Sequence, residues 1–270
     1  MDTIVERLKH PDVNQGLMAR FVAVGSSNTA RGHKIGNVQN WVDWFDTGLA
    51  RYWGRQHTTI NVGRSGETSR QVLARFEGDV MIHRPHLVMV TVGGNDANPK
   101  NGVTREELAR NLTAMIARCR REPDCLPVLQ TYYAIDEEEF VRHGEGEYVE
   151  RFHLYMQTVR DVASRTGTPL IDHLTRWERL RQADPALHKS LLHDRLHLNG
   201  LGNMVFALDV MRCFQTTPVD GLKEVCAPAL RIQACLDRLE GMGGLEARPH
   251  GPESAQTRGG GPPRPPVLRP

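Results

Sequence analysis

The sequence predicts an α/β fold, a sandwich of helices on both faces of a central parallel sheet. Two observations carry this. Short runs rich in β-branched and other apolar residues recur along the chain without polar alternation, as strands buried on both faces require. Between them lie longer segments whose apolar residues return at helical spacing.

The elements follow in order. ARFVAVG (19–25) reads as the first strand and runs into the small-residue turn SSNTARG. HTTINVG (57–63) is the second, followed by the glycine-bearing RSGETSR and the periodic QVLARFEGDVMI. HLVMVTVGG (86–94) is the third and breaks at Asn95. A helix is expected over 104–121, where Leu108, Leu112, Ile116 and Cys119 share one face, and CLPVLQTYY (125–133) is the fourth strand. After an amphipathic segment at 148–165 comes TPLIDHL (168–174), read as a fifth strand. NGLGNMVFALDVMRCFQ (199–215) reads as a closing helix, and 219–240 as another that packs on the domain or stands off it. We therefore expect one domain over 1–240, with its core at about 19–215 and a helical extension at 219–240. Residues 241–270 are rich in glycine and proline and hold few apolar anchors, so they are expected to be a disordered tail. Its PPRPP (262–266) has the composition of a polyproline ligand, which a flexible tail also explains.

Composition narrows the function. Of 270 residues, 39% are hydrophobic and 24% charged, with a net charge of only +2. That balance gives no basic footprint for nucleic acid and no attraction to an anionic membrane. The N-terminus lacks the pattern of a signal peptide, and no apolar run approaches the roughly 20 residues of a membrane span. Cys119, Cys125, Cys213, Cys226 and Cys235 form an odd set without a C-x-x-C pair, better suited to thiols in a reducing compartment than to a disulfide framework. A Cys226–Cys235 bridge stays open at this point. The expected location is cytoplasmic.

In parallel α/β sheets the ligand crevice lies outside the carboxyl ends of the strands, and the chemically useful residues collect there. Ser27 follows the first strand, where its hydroxyl and nearby backbone N–H groups suit a nucleophile; a helix N-cap is the ordinary use of such a serine. Gly63 and Gly66 permit a tight turn and close approach of backbone to ligand after the second strand. Asn95 after the third offers a neutral carboxamide donor for an oxyanion, or else an Asx turn. Late in the chain, HDRLHLNGLGN sets Asp194 three residues before His197, an offset that lets a carboxylate orient an imidazole on a tight turn. His193 and His197 also have the i, i+4 spacing of a zinc pair, but no adjacent glutamate motif or further ligands accompany them.

Taken together, GSSNT, SGET, GGND and DRLH resemble, in order, the four blocks of the SGNH (GDSL-like) hydrolase family across roughly residues 19–212. The resemblance implies a flavodoxin-like three-layer fold and a serine esterase. Ser27 would be the nucleophile, His197 the base and Asp194 its partner. The backbone N–H groups of Ser27 and Gly66 and the Asn95 side chain would form the oxyanion hole. Two positions depart from the family: Ser26 stands where aspartate is usual and Asn28 where leucine is. Neither is a catalytic group in the family scheme, so the departures bear on the support of the first turn and the polarity of the acyl pocket.

The implied chemistry is acyl transfer through an acyl-enzyme, without metal or organic cofactor. The LQTYYAID segment is similar, more loosely, to the carbohydrate acetyl-esterase branch, which makes a short acyl ester of a sugar the expected substrate. Tyr132 and Tyr133, with Trp41 and Trp44, are the aromatics available to stack on a sugar ring, although large aromatics more often belong to cores. A lipase-like esterase or thioesterase, an acyltransferase, and a non-catalytic binding protein on the same fold are the other readings, and a homo-oligomer is compatible with all of them.

Overall fold

A computed structural model describes residues 19–31, 39–53, 57–214 and 223–242. Its centre is a sheet of five parallel strands: β1 (Ala19–Gly25), β2 (His57–Asn61), β3 (Leu87–Thr91), β4 (Leu126–Gln130) and β5 (Leu170–Ile171). The spatial order is β2-β1-β3-β4-β5. Val22 of β1 pairs with Ile60 on one side and Val88 on the other. Phe21, Val22, Ala23 and Val24 are all fully buried, which explains why this strand shows no alternation in sequence.

Helices cover both faces. Between strands run α1 (Trp41–Trp53), α2 (Ser69–Asp79), α3 (Arg105–Cys119), the short α4 (Glu137–Arg142) and the long α5 (Gly146–Thr166). After β5 come α6 (His173–Ala183), α7 (Pro185–Ser190), α8 (Gly200–Cys213) and α9 (Lys223–Gly241). One layer is the packed row α2, α3, α5; the other joins α1 to α8, α8 to α9 and α9 to α6. This is the three-layer flavodoxin-like sandwich that the sequence implies, with its topological switch between β2 and β3 on either side of β1.

The fifth strand is where expectation and structure part. Only Leu170 and Ile171 pair with β4, and the rest of 168–174 does not extend the strand. Asp172 caps α6 instead, accepting from Thr175 N at 3.3 Å and Thr175 Oγ1 at 2.8 Å. His173 turns inward, so the apolar residues of this run belong to two elements. Helices α4, α6 and α7 were not anticipated, since their apolar residues are few and broken by charge; α1, although rich in apolar residues, was given no bounds either.

The extension over 219–240 forms part of the body where it is described. Gln233 Nε2 donates to Val205 O of α8 at 2.8 Å. Arg176 of α6, only 5% exposed, pairs with Asp237 and Glu240 of α9 and with Asp209 of α8. Asp209 also holds His173 Nδ1 at 2.7 Å, and His173 Nε2 meets Gln130 Oε1 at 3.0 Å. A chain of buried polar groups thus links β4 to three helices. Burial pushes the Asp209 carboxyl up, but the His173 hydrogen bond and the charges of His173, Arg176 and Arg212 outweigh it and hold it below the usual range. Residues 1–18 and the tail beyond residue 242, with its PPRPP segment, lie outside the described residues. Among the described residues, no helix is long and apolar enough to cross a membrane. All five cysteines are thiols, so no Cys226–Cys235 bridge is formed.

Removing the shared acceptor strands two buried donors, so Asp209→Ala is expected to cost about 3–5 kcal/mol in urea unfolding. Because the folded carboxyl titrates below its unfolded value, its stabilisation is full above the unfolded pKa and is lost as pH falls through the folded one. The wild type should therefore lose part of its advantage over Asp209→Ala below about pH 4, followed by thermal unfolding across the acid range.

Candidate active site

The site forms at the carboxyl edge of the sheet. Leaving β1, the chain makes a turn in which Thr29 N and Ala30 N both donate to Ser26 O, at 3.0 and 2.9 Å. Ser27 sits in that turn with its side chain partly exposed, and it caps no helix among the described residues. The loop after β2 lies directly against it: Arg64 N donates to Gly25 O at 3.1 Å. A Cβ on Gly63 would come within 2.6 Å of Ala30 N, so only glycine permits this approach. Gly66 has φ +82°, in the left-handed region that favours glycine.

His197 Nε2 is 2.9 Å from Ser27 Oγ, and His197 Nδ1 is 2.9 and 3.0 Å from the two Asp194 oxygens. Asp194 Oδ1 also accepts from Leu196 N and His197 N, each at 2.8 Å, which fixes the carboxylate inside its own turn. With both ring nitrogens engaged in this way, His197 does not face a metal with His193, whose backbone N donates to His197 O at 2.7 Å. The turn is anchored from the core by Tyr133, whose hydroxyl donates to Leu196 O at 2.7 Å, and by a bridge between Leu192 and Leu198. Asn199 then caps α8 through Gly202 N and donates to Ser190 O at 2.7 Å.

The third loop completes the edge. Asn95 Nδ2 donates one hydrogen to Glu67 O at 2.8 Å, tying the β3 loop to the residue after Gly66. Asp96, fully buried, accepts from Ser69 N at 3.0 and 3.1 Å and from the Ser69 hydroxyl. Asn111 Nδ2 donates to that hydroxyl at 2.9 Å. Burial pushes the Asp96 carboxyl up, and the Ser69 hydrogen bonds oppose the shift. Sequence reasoning missed this clamp, although the acid beside Asn95 and the serine opening α2 were its signal. It also missed the brace from Tyr133.

Two expectations are corrected. Tyr132 and Tyr133 do not offer faces to a sugar: they are 3% and 1% exposed, packed among Phe152, Trp177 and Phe206. Their hydroxyls are committed internally, Tyr132 to Ser26 Oγ at 2.7 Å and Tyr133 to the histidine turn. Trp41 is buried as well, and Trp44 packs on the core. Ser26 thus fills the position of the family's usual aspartate with a buried neutral hydrogen bond to Tyr132.

Two openings flank His197. A recess of about 10 Å³ is bordered by Ser27, Asn28, Ala30, Asn40, Leu198 and Asn203, with Tyr133 at its back. On the other side a cleft of about 750 Å³ runs from Asn95 and His197 to the corner between α4 and α5.

A flavodoxin-like sheet with Ser27, His197 and Asp194 brought together at its carboxyl edge is the frame of an ester hydrolase. The chain belongs to the GDSL-like lipase/acylhydrolase family, whose model matches residues 23–205, and is a carboxylic ester hydrolase. It is 26% identical over 187 residues to an uncharacterized lipoprotein, YqeF, of Bacillus subtilis, covering 60% of this chain and 72% of the relative. It is 33% identical over 108 residues to the esterase TesA of Pseudomonas aeruginosa, covering 40% of this chain and about half, 52%, of TesA. Among solved structures, an α/β hydrolase named LAE5 from the metagenome of Lake Arreo superposes with a TM-score of 0.60 at 26% identity, over 74% of this chain and 96% of that one. The acetylxylan esterase Axe2 of Geobacillus stearothermophilus gives 0.59 at 22% identity, over 73% and 94%, a likeness of fold.

Asp96→Asn keeps the shape of the clamp but weakens its grip on Ser69. It is expected to lower kcat for p-nitrophenyl acetate about 10- to 100-fold with KM little changed, because a loop displaced by a fraction of an ångström misplaces its donors. A KM effect alone would place the clamp's influence in binding.

Proposed function

We propose that the protein is a serine esterase that removes short acyl groups, acetyl foremost, from hydroxylated alcohols such as sugars. The observation that carries this reading is the continuous path from Ser27 Oγ through His197 to Asp194, at 2.9 Å on each link. His197 Nε2 takes the Ser27 proton as Oγ attacks the ester carbonyl, and Asp194 keeps Nδ1 protonated and stabilises the imidazolium. The tetrahedral oxyanion is received by the N–H groups of Ser27 and Gly66 and by the Asn95 carboxamide, whose nitrogen keeps a second hydrogen beyond the one given to Glu67 O. His197 then protonates the leaving alcohol and activates water against the acyl-enzyme.

Support for a short acyl group comes from the size of the recess beside Ser27, bordered by three asparagine side chains. A recess of about 10 Å³ has no room for a long hydrocarbon tail. The likeness of fold to an acetylxylan esterase points the same way for the alcohol.

The test is hydrolysis of p-nitrophenyl esters from acetyl to decanoyl by the wild type and by Ser27→Ala. Turnover should vanish with the serine and fall steeply beyond the shortest chains; a preference for long chains would replace the acetyl reading with a lipase-like one. Asn95→Ala should reduce kcat by about a hundredfold, read in the same assay.

A further inference from the structure

A tetrahedral centre on Ser27 Oγ has three other substituents, and the geometry at His197 offers three places for them. The oxyanion goes to the donor loops, the acyl chain to the small recess, and the alcohol to the 750 Å³ cleft, which borders His197, the group that must protonate it. The cleft's charge then decides which alcohols fit.

Its walls carry the carboxylates Asp136, Glu139 and Glu145, beside Asp194, against two permanent cations, Lys189 and Arg195. Both cations already have carboxylate partners. Lys189 Nζ lies 2.8 Å from Glu138 and 3.6 Å from Asp136. Arg195 Nη2 is 2.7 Å from Glu145, and its guanidinium lies 4.3 Å over the Phe140 ring, which stacks on Tyr148. Glu139 pairs with Arg142. A paired carboxylate still has lone pairs for hydroxyl donors, and the lining carboxylates outnumber the lining cations four to two.

We infer that this cleft is the alcohol site of the esterase and that it selects hydroxyl-rich alcohols without negative charge, rejecting anionic esters and coenzyme-A thioesters. The inference rests on the serine-esterase reading above. An incoming anion meets a wall in which four carboxylates outnumber two permanent cations, whereas a neutral sugar donates its hydroxyls to the carboxylate oxygens and leaves the pairs intact.

The experiment compares acetylated methyl glucoside with acetylated methyl glucuronide, which differ by one carboxylate, with p-nitrophenyl acetate as the reference whose leaving group has neither sugar hydroxyls nor a carboxylate. At low salt kcat/KM should be about tenfold lower for the glucuronide. The gap should shrink towards unity near 1 M salt, where charges several ångströms apart are screened. Glu139→Lys, in the cleft wall on α4, should narrow it at low salt. Equal rates on the two sugars at low salt, or a gap indifferent to both salt and Glu139→Lys, would overturn the charge selection. Hydrolysis of p-nitrophenyl acetate with neither sugar ester accepted would overturn the alcohol assignment and leave the serine esterase standing. Failure of the reference ester to depend on Ser27 would instead remove the esterase reading itself.

Discussion

Everything at the site depends on β1 pairing in parallel with both β2 and β3. That arrangement aims three successive carboxyl ends at one edge, so loops far apart in sequence become neighbours without any long-range design of their own. The Ser27 turn, the Gly63–Gly66 loop and the Asn95–Asp96 loop are each a strand exit. Their spacing is then fixed by hydrogen bonds between loops: Arg64 to Gly25, Asn95 to Glu67, Asp96 to Ser69. The histidine turn is different. It leaves no strand of the sheet, and it is held in place from the core by Tyr133 and from below by the Asn199 cap of α8.

This difference explains what was legible in the sequence. Strands β1 to β4 could be read because burial on both faces removes polar residues and leaves unbroken runs such as FVAV and LVMVT. The site residues could be read because they occupy strand exits and one compact turn, where residue type and spacing carry the chemistry. The supports could not be read. Tyr132 and Tyr133 look in sequence like aromatics available to a ligand, and only the packing of Phe152, Trp177 and Phe206 around them shows that they are internal braces. The fifth strand misled for a related reason: Leu170 and Leu174 are both apolar, but Asp172 between them ends one element and caps the next.

Polar groups inside the molecule follow two patterns. Beneath the site they are neutral or singly charged and close to the loops they steer, as with Ser26 and Tyr132 or Asp96 and Ser69. On the far side of β4 they form the charged chain from Gln130 through His173 and Asp209 to Arg176, which reaches α9. The charged chain serves the attachment of α8 and α9 to α6 and β4.

Arg195 sits between Asp194 and His197 in the chain, while its side chain grips Glu145 and covers Phe140. Its backbone carbonyl also accepts from Asp136 N at 2.9 Å, at the start of α4. One residue therefore belongs at once to the Asp194–His197 turn and to the wall of the cleft beside it. The α4–α5 corner and that turn are consequently not separable modules: a substitution that breaks the grip of Arg195 at the corner loosens the turn as well.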